Sequence, residues 1–285
     1  MLAIAGGIGA AFMWATTALL SGRSSRLIGA ASTLAWIMLI GTVAGVPLAL
    51  ASGPLPAFTA ELGFWLAGAS LGSVFGLLLV FRGMRIGKVG VVAALSSTEG
   101  AMAAVFSIVG GERLSLEVVA TLAVIAVGVA AVALATDGEP AAHSGPGDER
   151  RAILYGSGAA LLFGLSIFST ARLGESFTPF AAVMPPRILG VVAVTLPLAL
   201  TGRLRISRPA VPLVAAIGAA ELFGNASYVV GAQQSIAVAA VLASQFAAVA
   251  AIVAFLAFGE RLSRHQVGGV AAIFVGVAML AAFRA

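Results

Sequence analysis

Apolar runs of about 20 residues recur along the chain, divided by short polar stretches rich in glycine, proline, serine and arginine. A helix of that length spans the hydrocarbon core of a bilayer at 1.5 Å per residue. Backbone groups in lipid must bond within their own segment, so the runs predict helices rather than strands. Ten follow, at 2–20, 30–51, 62–81, 89–110, 115–136, 152–171, 177–201, 209–231, 236–258 and 264–283. The stretch 137–151, DGEPAAHSGPGDERR, holds both aspartates of the chain together with Pro, Gly and Ser. It reads as a solvated linker between a five-helix unit at 1–136 and another at 152–285.

Composition strengthens that picture. Of the 285 residues, 60% are hydrophobic and 9% charged, with a mean hydropathy of +1.09. A soluble domain is about one-quarter charged, so the pattern predicts an all-α integral membrane protein. Cysteine is absent, which excludes disulfides, thiolate catalysis and cysteine-held metals. The basic balance would suggest nucleic acid in a soluble protein. Here the arginines lie between apolar runs, where they orient spans and meet anionic headgroups, so the bilayer is the expected partner and nucleic acid is not. The first run lacks a basic leading region and reads as a span rather than a signal peptide.

The two units are related. A shift of 148 lays Gly111–Ala133 on Gly259–Ala281 with 13 of 23 positions identical, GERLS on GERLS. The same shift pairs Gly83 with Gly231 and Ser96 with Ser244, and a shift of 150 pairs VPLAL at 46–50 with LPLAL at 196–200. Five helices is an odd number, so the second unit must lie upside down relative to the first. Inverted repeats are an architecture of secondary transporters, whose solute sites lie near the midplane. Glu112 and Glu260 then mark the loop after the fourth helix of each unit, a structural role. Ser115 and Ser263 are expected N-caps of the last helix, with Gln266 completing a capping box in the second unit.

Three charges break the apolar pattern within spans. Glu99 lies about 15 Å into its helix, and Arg187 and Glu221 fall at similar depth. Such groups must pair with one another or face a water-filled cavity. Glu221, Asn225 and Tyr228 form one stripe at helical spacing, and Ser96, Glu99 and Ala103 another. Two carboxylates and one guanidinium leave a negative charge over. The spare carboxylate is either protonated or met by a cationic ligand, which makes Glu99 and Glu221 the candidates for proton coupling. Arg187 follows Pro185 and Pro186 in mid-span, where a kink frees backbone acceptors. Ser244 and Gln245, facing Ser96 by symmetry, are candidate neutral contacts. Trp14, Phe163 and Tyr228 lie at mid-depth, as core packing or as an aromatic wall for a planar or cationic solute. Gly68, Gly72 and Gly76, and Gly41 with Gly45, form small-residue seams for close helix packing.

The five-helix repeat, GERLS after the fourth helix and the small-residue last helix together resemble the EamA-type domain of the drug/metabolite transporter superfamily. Trp14-Ala15 and Phe163-Gly164 are similar to the WG of that domain's first helix, and Arg187 falls where its second helix commonly carries arginine. The mid-helix proline of the fourth helix is Gly100 in one unit and Ala248 in the other, and Ile37 stands opposite Arg187. The resemblance implies ten transmembrane helices and a solute exporter.

An intramembrane enzyme is the rival class. Gly68-Ala69-Ser70-Leu71-Gly72 matches a nucleophile motif, but the only histidines are His143 in the linker and His265 at a span start, so the serine lacks a base. No catalytic residue, metal or cofactor is expected. A passive facilitator remains the alternative, separable by saturation and counterflow. Loops after the odd-numbered spans hold 12 of the Lys/Arg and the opposite side three. The positive-inside rule then sets both termini outside the cytoplasm, whereas the resemblance implies both inside. The expectation is a multi-pass transporter of the plasma (cytoplasmic) membrane, moving an amino acid, amine or drug-like cation. Glu99, Arg187, Glu221, Asn225, Tyr228, Ser96, Ser244, Gln245 and Trp14 would line its site. A monomer suffices and a dimer is compatible.

Overall fold

The structure is a computed structural model that describes residues 1–86, 89–134, 146–258 and 264–283, and among these every regular element is helical. In chain order the helices are α1 (Leu2–Ile28), α2 (Ala30–Ala51), α3 (Ala60–Ile86), α4 (Val89–Ser96), α5 (Glu99–Val109), α6 (Leu116–Leu134), α7 (Pro146–Leu173), α8 (Pro179–Ala182), α9 (Met184–Gly190), α10 (Leu196–Leu200), α11 (Val211–Ala232), α12 (Ile236–Ala243), α13 (Phe246–Phe258) and α14 (Arg264–Phe283). Among the described residues, six stretches are long and apolar enough to cross a membrane: Leu2–Ile28, Ala30–Ala51, Ala60–Met84, Glu149–Leu173, Pro179–Leu200 and Arg208–Ala232. Helix α7 begins at Pro146, so the expected linker gives way to helix six residues early. Residues 135–145, with most of that linker, and the second GERLS with Glu260 and Ser263 lie outside the described residues.

Helix packing interlaces the two repeats. Helix α1 lies along α11, and α3 lies along α7. Glycines make both contacts close. A Cβ on Gly6 would sit 2.5 Å from the Cα of Gly231. On α3, Cβ atoms at Gly68, Gly72 and Gly76 would strike Ser169, the Leu162 carbonyl and Phe163 in turn. The Gly68–Gly72 motif is thus a packing seam, since backbone approach on this scale admits only glycine.

The fourth helix of each repeat departs from the continuous spans expected at 89–110 and 236–258. Each is broken, between α4 and α5 at Ser97–Thr98 and between α12 and α13 at Ser244–Gln245. No proline causes it. Thr98 Oγ1 donates to the Leu95 carbonyl at 2.7 Å, and Ser244 Oγ donates to that of Val241 at 2.9 Å. At the same turns, Thr98 N–H reaches back three residues to Leu95 and Gln245 N–H to Leu242. Hydroxyl groups that take the carbonyl three residues back compete with the helical ladder, and a tight turn results. The two breaks touch, for a Cβ on Gly100 would lie 2.4 Å from the Ala240 carbonyl and 2.6 Å from Ser244 Oγ. Ser244 therefore packs against Gly100.

The seventh expected span, 177–201, is also discontinuous. Thr178 caps α8, accepting from Ala181 N–H at 3.4 Å, and the backbone turns at Val183 before Pro185 and Pro186. A π-helical turn over Val191–Thr195 precedes Pro197, which has no N–H for the Ala193 carbonyl. Thr195 Oγ1 meanwhile donates to the Ala35 carbonyl of α2 at 2.9 Å.

Glu112 of the first GERLS reaches across to the other repeat. Its carboxylate accepts from Ser107 Oγ, from Ser235 Oγ and from the Ala237 N–H, the last at 3.1 Å. Ser235 is itself the N-cap of α12, accepting from Val238 N–H. An anion at exposed N–H groups of a helix start is favourable, and here it ties the two repeats together. Ser115 stands one turn before Val118 N–H at 3.4 Å, a long capping contact.

Candidate functional site

A cavity of about 90 Å³ lies among α2, α3, α7, α9 and α11. Three of the expected residues that line it, Glu221, Asn225 and Tyr228, project from one stripe of α11, and Arg187 comes from α9. The proline-bounded turn sets α9 off as a short separate helix, and Gly41 on α2 leaves room for its arginine. A Cβ at Gly41 would lie 2.9 Å from Arg187 Nε.

Arg187 is 6% exposed, and its bonds run to backbone carbonyls rather than to carboxylates. Nη1 donates to Val183 O at 2.9 Å and Nη2 to Glu221 O at 2.6 Å. Its charge is thus solvated by peptide dipoles while the Glu221 carboxylate stands near enough to be felt electrostatically. Asn225 Nδ2 donates to the Glu221 carbonyl at 2.7 Å and, more loosely, to its carboxylate at 3.2 Å. Tyr228 is buried, its hydroxyl donating to the Ile167 carbonyl on α7 at 3.2 Å.

Glu99 opens α5 directly after the break and is half-buried. Its backbone carbonyl lies against Gly164 of α7, where a Cβ would come to 3.0 Å. The carboxylate carries no hydrogen bond or ion pair with the described residues, although it is within electrostatic reach of Glu221. A carboxylate at the first turn of a helix is favoured by the exposed N–H groups there. Ser96 closes α4 on the other side of the same break.

Trp14, Ser244 and Gln245 stand apart from the cavity wall. The Trp14 ring packs 6.4 Å from that of Tyr228 and, edge-on, 6.2 Å from that of Phe246. Ser244 and Gln245 are buried at the second break, and Gln245 Nε2 has no hydrogen-bond partner among the described residues. The expected residues therefore form a cavity group around Arg187 and Glu221 and a second group at the crossed breaks, with Glu99 between them.

The cavity also contains residues that the sequence reading did not count among the site residues: Ile37, Ser73, Ser166 and Thr170. Ser166 Oγ donates to the Ala69 carbonyl at 2.6 Å and Thr170 Oγ1 to the Ser166 carbonyl at 2.8 Å. A signal for two of them lay in the repeat. Ser73 stands 148 residues before Glu221, and Ile37 stands 150 before Arg187. Equivalent positions of the two repeats thus converge on one cavity, charged on one side and neutral on the other. Among the described residues no cluster of His, Asp and Glu suits a metal ion.

The model of the EamA-like transporter family matches the chain twice, over residues 1–134 and 150–282. The chain belongs to that family. This EamA-like protein is accordingly a multi-pass membrane protein that transports a small-molecule solute, and it is not an enzyme. A solved crystal structure of another protein shares its fold with a TM-score of 0.76, the match covering 99% of this chain and 96% of that chain at 19% identity. No curated protein matches the chain.

Proposed function

We propose that the protein is a secondary active transporter of ten transmembrane helices. Two inverted five-helix repeats, at 1–136 and 152–285, would flank the solvated segment 137–151. The broken α4–α5 and α12–α13 pairs would each count as one discontinuous span. The solute site is the cavity together with the crossed breaks, with Arg187, Glu221 and Glu99 as its charged core. Asn225, Tyr228, Ser96, Ser244, Gln245 and Trp14 complete it. One observation carries this reading. Among the described residues, a buried arginine is hydrogen-bonded only to carbonyls, with Glu221 on the same cavity wall and Glu99 unpaired within electrostatic reach of Glu221. A static packing device would bring these charges into contact, because an unmatched buried charge is costly.

The excess of carboxylates favours a cationic or zwitterionic solute such as an amino acid, an amine or a drug-like cation. A carboxylate that must lose its proton to accept such a solute would couple transport to the proton gradient. Export and a plasma-membrane location are what the resemblance implies; the Lys/Arg count favours both termini outside the cytoplasm, whereas the resemblance implies both inside. Two fused repeats make a monomer sufficient.

The testing experiment is a thermal-stability screen of purified protein against amino acids, amines and cationic drugs at pH 6 and pH 8. Glu99→Gln and Glu221→Gln are run alongside. A ligand that stabilises the wild type more at the higher pH, and loses its effect in one variant, identifies the solute class and the coupling carboxylate. Equal loss of melting temperature in both variants, with no ligand response in the wild type, would sink the charged site.

A further inference from the structure

Among the described residues, two buried polar atoms on α1 lack a formed hydrogen bond. They are the indole Nε1 of Trp14 and the hydroxyl Oγ1 of Thr17, both closed off from solvent. Buried polar atoms are seldom left so. The residues are three apart on one helix and share a face, and that face meets α11. Trp14 lies against Gly224, where a Cβ would come to 3.0 Å from Nε1. Thr17 lies beside the Glu221 carboxylate, close to it but short of hydrogen-bond geometry. Gly224 is three residues on from Glu221, so both orphaned atoms border the strip of α11 from which Glu221 projects.

Glu221 itself is lightly held. Among the described residues its carboxylate receives one formed hydrogen bond, the 3.2 Å contact from Asn225, whose Nδ2 is more closely engaged by the Glu221 carbonyl at 2.7 Å, with the Thr17 hydroxyl close by. An ionised carboxylate offers about four acceptor positions. Unused acceptors thus stand beside unused donors.

We propose that Trp14 Nε1–H and Thr17 Oγ1–H form a second docking position for the Glu221 carboxylate, between α1 and α11, and that Glu221 moves between this position and the cavity as solute enters and leaves. The inference rests on Glu221 being a solute-binding carboxylate. In this step Trp14 and Thr17 act through Glu221, as positioning residues, whatever contact Trp14 makes with solute in the wider site. With the carboxylate docked on α1, both orphaned donors are satisfied and the cavity loses its negative wall, which releases a cationic group. With the carboxylate turned toward Asn225, as here, the cavity is set to receive one. The groups that face Glu221 are Trp14 and Thr17 on α1, Glu99 on α5, Arg187 on α9, and Asn225 and Tyr228 on α11. Of these, Glu99, Arg187 and Tyr228 are titratable, so the test carries a control at Glu99.

Trp14 can serve as its own reporter. The full chain has three tryptophans, and Trp36→Phe with Trp65→Phe leaves Trp14 alone. Its emission is followed in detergent between about pH 5 and pH 9. The expected result is an emission change with pH that is lost in Glu221→Gln and kept in Glu99→Gln, weakened by Thr17→Val and restored by Thr17→Ser. Emission that ignores Glu221→Gln, or that follows Glu99 instead, overturns the proposal. So does a response to added lysine or tetraphenylphosphonium that is equal with and without the Glu221 carboxylate, because the donors would then take the solute. Thermal shifts with the same two probes separate the claims. Stabilisation that depends on Glu221 without any Trp14 response sinks the docking position alone. A Glu221-dependent Trp14 response with no stabilisation by either probe, nor by any ligand of the wider screen, sinks the solute site and leaves the docking position standing.

Discussion

The two repeats face the same cavity with different chemistry. Where the second offers Arg187 and Glu221, the first offers Ile37 and Ser73. The second-repeat helix that carries Arg187 is divided into α8, α9, a π turn and α10, while its counterpart α2 runs unbroken through Pro47. The breaks in the fourth helices, by contrast, occur in both repeats at nearly equivalent positions. Backbone devices that shape the middle of the molecule are duplicated, and the charges are not. Symmetry serves the shape here, and in the proposed function asymmetry would serve the recognition.

Replacing Arg187 by the residue of the other repeat would remove that asymmetry, with the largest effect. Arg187→Ile strips charge-assisted bonds from the Val183 and Glu221 carbonyls, a loss of about 3 kcal/mol. Chemical denaturation in detergent should show it, with ligand stabilisation abolished. The second test compares the breaks. Gly100→Ala meets the Ala240 carbonyl, whereas its counterpart Ala248 already has a buried Cβ. A cost of about 1–3 kcal/mol is expected for Gly100→Ala, and a smaller one for Ala248→Gly. Equal costs would mean that the crossing is not packed as described.

Glu112→Gln keeps the shape of the cap but removes its charge, and should lower stability by about 1 kcal/mol. The expected loss shrinks in Glu112→Gln with Ser235→Ala, because the two act on one another. Smallest is Ser73→Ala. It should leave the melting temperature unchanged and weaken ligand stabilisation only about five-fold or less, one neutral hydrogen bond's worth. A loss as large as that of Glu221→Gln would make the neutral wall an equal partner in recognition.

Much of this was legible in the chain. The repeat showed itself through GERLS and a constant offset, and the three intramembrane charges stood out because lipid tolerates so few. The stripe Glu221–Asn225–Tyr228 faces the cavity as helical spacing requires. The breaks were missed because the expected breaker, proline, is absent from both fourth helices. Ser97-Thr98 and Ser244-Gln245 turn the chain through side chains that claim nearby carbonyls, a weak signal inside long apolar runs. The partners of Arg187 were hidden for another reason. Sequence displays carboxylates, whereas carbonyls belong to every residue, and only the turn at Val183 shows which are aimed at the guanidinium. Gly41 read as a packing seam, yet it also makes room for that arginine.

The contact of α1 with α11 has a consequence for biogenesis. Helix α1 is made well before α11, and the glycine-lined surface it fits ends only at Ala232. During synthesis the first span must wait in lipid with Gly6 uncovered until that surface arrives. A contact so distant in sequence slows assembly. The first repeat made alone would hold all of its helices and still lack its principal neighbour. Two separately made repeats should therefore find each other before either becomes stable, the joining segment serving chiefly to keep them close.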